Sequence, residues 1–145
     1  MEYSENGALT ELAQAQWLQG AVSPQTIDTL PVCLATTRKQ DGRCIGYVSL
    51  SCDCNRVGPN DAEIGFRLAK WAWGQGFATE AAQGIISTAS ARAETHRISA
   101  IVDPNNRRSI RVLKKLGMSL KGGVMLDGYD YADHLYAINM CDLQQ

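Results

Sequence analysis

The stretch Trp73-Gly74-Gln75-Gly76-Phe77-Ala78-Thr79 carries the residue types that bind a phosphate. A strand-like run, Ala62 to Leu68, comes before it. Apolar residues at helical spacing come after it: Ala78, Ala81, Ala82, Ile85, Ile86 and Ala89. A strand, glycine loop and helix in that order turn backbone N–H groups toward one point, and the first N–H groups of the helix have no partner inside it. The helix dipole adds partial positive charge at the same end. Glycine suits the loop because a Cβ blocks the close approach of an anion to the backbone. Taken alone, the pattern also fits an ordinary tight turn before a helix. It is no Walker loop, since no Gly-Lys-Ser/Thr follows. Thr79 stands where the dinucleotide fingerprint G-x-G-x-x-G needs its third glycine.

The elements that must position this loop can be read from periodicity. Residues 8–20 read as a helix that Thr10 can cap, with Leu9, Ala13, Trp17 and Leu18 on one face. Ser23-Pro24 breaks the chain. Strands are expected over 31–39 and 43–52, joined by the hairpin signal Asp41-Gly42. A polar loop from Asn55 to Asn60 leads to a third strand over about 61–69. The loop helix runs to about 94, and Arg97 to Val102 is a short apolar strand of the buried kind. Asp103-Pro104-Asn105-Asn106 turns into a helix over about 106–116, with Ile110, Leu113 and Leu116 inward and Gly117 as its stop. Two last strands, near 118–127 and 131–140, are joined through Asp127-Gly128. The order α-β-β-β-α-β-α-β-β predicts a mixed α/β sheet in one domain over 1–145.

Bulk properties narrow the function. The 145 residues are 45% hydrophobic and 20% charged, ordinary for a globular chain with a real core. A net charge of −1 gives no global argument for nucleic acid or a membrane surface as partner. No apolar run reaches the length of a membrane span. The start, MEYSENGALTEL, lacks the basic residues and apolar core of a signal peptide. Five cysteines, an odd number, then read as reduced thiols in a cytoplasmic protein. Cys52-Asp53-Cys54 has no second pair to complete a zinc site, so no metal is expected.

Three segments carry a resemblance: AEIGFRLAKWAWGQGFATEA, HRISAIVDPNNRRSIRVLKKLGM and YADHLYAI. Their order and residues resemble the GNAT N-acetyltransferase superfamily, and within it the RimJ/RimL-like branch of ribosomal-protein N-terminal acetyltransferases. The resemblance implies a three-layer α-β-α fold around a largely antiparallel mixed sheet, with acetyl-CoA as cofactor. It implies that Trp73, Gly74, Gln75, Gly76, Phe77, Ala78 and Thr79 cradle the CoA pyrophosphate. Backbone at Phe66, Arg67 and Leu68 would pair with the pantetheine amides, in a V-shaped slot between that strand and the strand at Arg97. Asn106 would contact the pantetheine arm, and Ser109 would lie near the thioester sulfur; both also suit a plain helix start. Many members carry a tyrosine as general acid four residues after that serine. Here the position is Leu113.

In the superfamily an amine attacks the thioester directly, and it must be neutral to do so. Amine pKa values run from about 7.7 for an α-amino group to about 10.4 for a lysine-like one, so a base helps. Glu63 is the candidate base. If Ile64 and Phe66 face one way, Glu63 faces the other, with Asp61 in reserve on the same face. An ordinary strand-end carboxylate is the competing reading of Glu63. His96 fits a structural pair with Arg97, and Asp133 fits either the acceptor or the final hairpin. Arg107, Arg108, Arg111, Lys114 and Lys115 crowd one helix, which fits a solvated face or contacts to the CoA 3′-phosphate. The acceptor is expected to be the primary amine of a peptide N-terminus or a small molecule. The alternative function is an acyl-CoA-binding sensor or scaffold without turnover. Relatives usually carry another strand and helix ahead of residues 8–20, for which this chain has no room. The strand at 31–39 is then an edge, and a homodimer through the N-terminal region would cover it.

Overall fold

Three residues, Asp61, Ala62 and Glu63, hold the two halves of the sheet together in this computed structural model. The structure describes residues 32–51, 61–90 and 95–144. The expected helix over 8–20, the loop at 55–60 and the Cys52–Cys54 pair lie outside them. The strands are β1 (Val32–Thr37), β2 (Cys44–Ser51), β3 (Asp61–Leu68), β4 (Arg97–Val102), β5 (Ser119–Val124) and β6 (Asp133–Asn139). They lie in the order β1-β2-β3-β4-β6-β5. Every neighbouring pair is antiparallel except β3 and β4. A parallel pair needs a crossover. Helix α1 (Phe77–Ser90) supplies it, and α2 (Arg107–Lys115) follows β4.

Alternation decides which face is buried. Val48, Leu50, Ala62, Ile64, Ile98, Ala100, Val102 and Tyr136 share one face and are buried. Ala82, Ile85 and Ile86 of α1 and Leu113 and Leu116 of α2 pack in the same cluster. Both described helices therefore cover one face. Asp61, Glu63 and Gly65 stand on the other, as their alternation with Ala62, Ile64 and Phe66 requires.

Helix α2 ends as its sequence demands. Gly117 has φ +86°, and the Met118 N–H reaches back to the Leu113 carbonyl at 3.1 Å, the closing bond of a Schellman motif. The last hairpin is shorter than expected. β5 stops at Val124 and β6 starts at Asp133, so 125–132 is a loop containing a turn closed by Tyr129 N–H to Leu126 carbonyl at 3.2 Å. The Tyr131 hydroxyl donates to Asp103 Oδ2 at 2.6 Å, which draws this loop toward the end of β4 instead of letting the ladder continue.

Candidate cofactor slot

β3 and β4 pair only as Asp61–Arg97, Ala62–Ile98 and Glu63–Ser99. Beyond that point the strands part. β3 remains paired with β2 as far as Leu68, and β4 with β6 as far as Val102. The result is a V-shaped gap whose closed end is at Glu63 and whose open end lies between Leu68 and Val102. Among the described residues, backbone along Ile64 to Leu68 has no strand on the gap side. An extended chain bearing amides can occupy such an edge as an added strand.

The closed end is pinned by charge. Arg97 Nε and Nη2 donate to Asp61 Oδ2 at 2.9 and 2.6 Å, and the Ser99 hydroxyl lies 3.5 Å from the same oxygen. Asp61 is buried and committed to this cluster, which takes it out of the role of reserve base. Arg97 pairs with Asp61 and not with His96, contrary to the sequence expectation. His96 is exposed, and its carbonyl accepts from Met140 N–H at 3.0 Å. Glu63, half-buried, stands at the closed end itself.

The glycine loop lies at the open end. Gly74 and Gly76 have φ of +74° and +82°. These left-handed values strain any residue with a Cβ. Among the described residues, and apart from each glycine's own chain neighbours, no atom lies within 4 Å of where a Cβ on either glycine would stand. The loop thus faces open space that such a Cβ would partly fill. The α1 ladder begins with Glu80 N–H donating to the Gly76 carbonyl at 3.0 Å. The N–H groups of Phe77, Ala78 and Thr79 fall in the first turn, where the helix provides no acceptor. Gln75 folds back, its Nε2 donating to the Trp71 carbonyl at 3.2 Å. Upstream, the Arg43 and Arg38 guanidinium carbons lie 4.2 and 5.2 Å from the Trp71 ring centre, which ties the β1–β2 hairpin tip to the segment entering the loop.

On the other side of the gap, Asn106 caps α2. Its Oδ1 accepts from the Ser109 N–H at 3.2 Å. The cap uses Ser109's backbone and leaves its hydroxyl uncommitted among the described residues. Leu113 is buried in the core, so no hydroxyl group stands one turn further on. Arg107 and Arg108 sit in the first turn of α2, which holds no acidic residue. A helix N-terminus disfavours cations, so the pair gains only if an anion joins it. Trp73, half-buried, donates from Nε1 to the Leu68 carbonyl at 3.0 Å, and its ring lies under the Arg108 guanidinium at 4.6 Å. Neither contact of Trp73 nor the Asp61–Arg97 pair has a local signal in the sequence.

The structure therefore brings together Phe66, Arg67, Leu68 and the loop 73–79 on one side of the gap, Asn106 and Ser109 on the other, and Glu63 at its apex. A family model described as an acetyltransferase (GNAT) domain matches residues 1–119. The chain belongs to the GNAT acetyltransferase family. Its mixed six-stranded sheet with two helices is the GNAT fold. Among its relatives is the uncharacterized N-acetyltransferase YnaD of Bacillus subtilis, 38% identical over 84% of this chain and 67% of YnaD. Spermidine N(1)-acetyltransferase of Escherichia coli K12 is 30% identical over 72% of this chain and 55% of its own length. The solved structure of Mycobacterium smegmatis RimJ in complex with CoA-disulfide has a TM-score of 0.58 and 31% identity, covering 72% of this chain and 52% of RimJ. The matches span between 33% and 71% of the length of the curated relatives. Among the described residues no helix is long and apolar enough to cross a membrane.

Proposed function

We propose that this GNAT domain is an N-acetyltransferase that moves an acetyl group from acetyl-CoA to a primary amine. The observation that carries the reading is the Gly74–Gly76 loop at the open end of the β3–β4 gap, with clear space before it and the first-turn N–H groups of α1 behind it. These residues suit a pyrophosphate, and the gap suits a pantetheine arm. When bound, acetyl-CoA supplies an activated acyl thioester. The chain supplies the rest. Gly74 to Thr79 would hold phosphate oxygens, and the β3 backbone from Phe66 to Leu68 would hold the arm. Glu63 would take the proton of the incoming amine, directly or through water, as the amine nitrogen attacks the thioester carbonyl, and the Ser109 hydroxyl would donate a hydrogen bond to the departing sulfur. A thiol pKa near 8.5 means that the leaving group needs little help.

The acceptor in this reading is the protonated amine of a peptide N-terminus or a small molecule. The segment tied to the end of β4 suits an ammonium group: Tyr131 bonds Asp103, the loop 125–132 carries Asp127, Tyr129 and Asp130, and no lysine or arginine occurs from 122 to 145. The spermidine enzyme among the relatives acts on an amine of this kind by its name. The reading includes a cytoplasmic chain with reduced thiols. It also includes a homodimer through the N-terminal region that covers β1, the last strand on one side of the described sheet. Free-thiol release from acetyl-CoA over a panel of α-amino peptides and polyamines tests the activity. Release with no acceptor above the water background overturns it. Light scattering at low micromolar concentration tests the dimer, and a stable monomer rejects it.

A further inference from the structure

Trp73 and Arg108 touch across the mouth of the slot. The Trp73 Nε1–H bond to the Leu68 carbonyl, 3.0 Å, fixes the indole to the last residue of β3. Arg108 is the second residue of α2, which starts beyond the end of β4 on the opposite side of the gap. Its guanidinium carbon lies 4.6 Å from the Trp73 ring centre. The stack joins two sides of an opening whose strands exchange no ladder bonds past Glu63 and Ser99. Helix α2 does not itself call for this arginine. A cation in the first turn opposes the dipole, and no acid shares that turn. Among the described residues Arg108 has no carboxylate partner. The indole face is its contact, and a guanidinium is well matched to it.

We propose that the Arg108–Trp73 stack is a latch across the mouth of the slot that sets how fast CoA enters and leaves. The inference rests on the acetyl-CoA reading above. Trp73 is then a positioning residue, acting on the slot through Leu68 and Arg108. The two sides must part for a pantetheine arm to pass between β3 and β4. Reclosing holds the arm once it is in. An exposed stack of this type corresponds to about a two- to five-fold change in rate.

Stopped-flow association and dissociation of CoA test this on the wild-type chain, Arg108→Gln, Trp73→Leu and the double variant. Arg108→Gln is expected to speed entry and exit by about two- to five-fold each. It is expected to add nothing once Trp73→Leu is present, because the two residues act as one contact. Arg108→Lys keeps the charge and loses the planar stack. Its rates should move toward those of Arg108→Gln, and this variant carries the test if Trp73→Leu melts too low to use. Rates that do not respond to Arg108 overturn the latch. So does a loss of affinity that persists undiminished in the Trp73→Leu background, which is the mark of a direct contact between Arg108 and a phosphate. A wild-type chain that binds no CoA overturns the acetyl-CoA reading and the latch with it. One that binds CoA at rates indifferent to both residues overturns the latch alone.

Discussion

Arg97 grips Asp61 at the first rung of the short parallel ladder that joins β3 to β4. Both guanidinium bonds, 2.9 and 2.6 Å long, end on the same carboxylate oxygen, and the two residues are direct neighbours in the parallel ladder. Two residues further on stands Glu63, on the same face of β3 as Asp61. The ion pair therefore fixes the vertex of the slot and the backbone that carries the candidate base.

Removing the arginine should show how much the vertex depends on charge. Arg97→Met leaves the Asp61 carboxylate buried without its cation. Breaking a buried pair from one side costs about 3–5 kcal/mol, and the low end applies because the Arg97 side chain is 31% exposed. Urea unfolding is expected to show a lower midpoint with an unchanged slope. An unmoved midpoint would mean that water already reaches the Asp61 carboxylate.

The glycine loop yields a prediction that separates binding from folding. At Gly76 a Cβ meets no atom of the described residues beyond its chain neighbours, so the cost to the fold is backbone strain at φ +82°, about 1–2 kcal/mol. The same Cβ would stand where a phosphate must approach. Charge-assisted hydrogen bonds are worth about 1.5–3 kcal/mol each, so losing one lowers affinity by about ten- to a hundredfold. Gly76→Val should therefore keep its circular dichroism spectrum and cooperative melt while losing CoA affinity by calorimetry. Retained affinity removes the phosphate cradle from 74–79.

Much of this was legible in the sequence, for local reasons. Strand alternation in 43–52 and 61–69, the positive-φ demand at Gly42, Gly74, Gly76 and Gly117, and the Asn106 cap are each written within a few residues. The slot was legible only through resemblance. Where a parallel ladder stops depends on the packing of β3 against β2 and of β4 against β6, and no short window contains that. The Asp61–Arg97 pair joins residues 36 positions apart, whereas the sequence offers the arginine a partner next door in His96. In sequence Trp73 is only a loop residue, because its bond to Leu68 and its stack with Arg108 form only after the strand end and α2 have met. The last hairpin is shorter than its sequence suggests because Tyr131 looks like a strand former, yet its hydroxyl is bound to Asp103.

That last contact has a pH signature. The hydrogen bond to Asp103 favours the neutral phenol, aided by burial and by the nearby Asp103 and Asp133 charges, and pushes the Tyr131 hydroxyl up to about 12. The sign follows. A raised folded-state value means that the tie is fully present below the ordinary tyrosine range near 10, and is lost as pH rises toward about 12. The loop at 125–132 should thus be held throughout the neutral range and released only in strong base. Tyrosinate absorbance should show one hydroxyl titrating late, and Asp103→Asn should bring it back toward its ordinary range. A titration curve that Asp103→Asn leaves unchanged would break the link.

The sharpest prediction about chemistry falls on Glu63. It stands where β3 leaves β4, at the apex of the slot, two residues beyond a carboxylate already committed to Arg97. If it takes the proton from the acceptor amine, Glu63→Gln removes the base and keeps the shape. General-base catalysis is typically worth about 10²–10⁴-fold, and relay through water places the loss toward the lower end. The loss should grow as pH falls, because amine groups with pKa values near 7.7–10.4 are then more fully protonated and depend more on a base. CoA affinity should change little, since the phosphate loop lies at the other end of the gap. Turnover against pH with one good acceptor, beside calorimetry with CoA, checks both parts. Wild-type turnover at every pH would leave Glu63 as a strand-end carboxylate. Equal losses of turnover and CoA affinity would mean that the substitution had disturbed the vertex and not the proton.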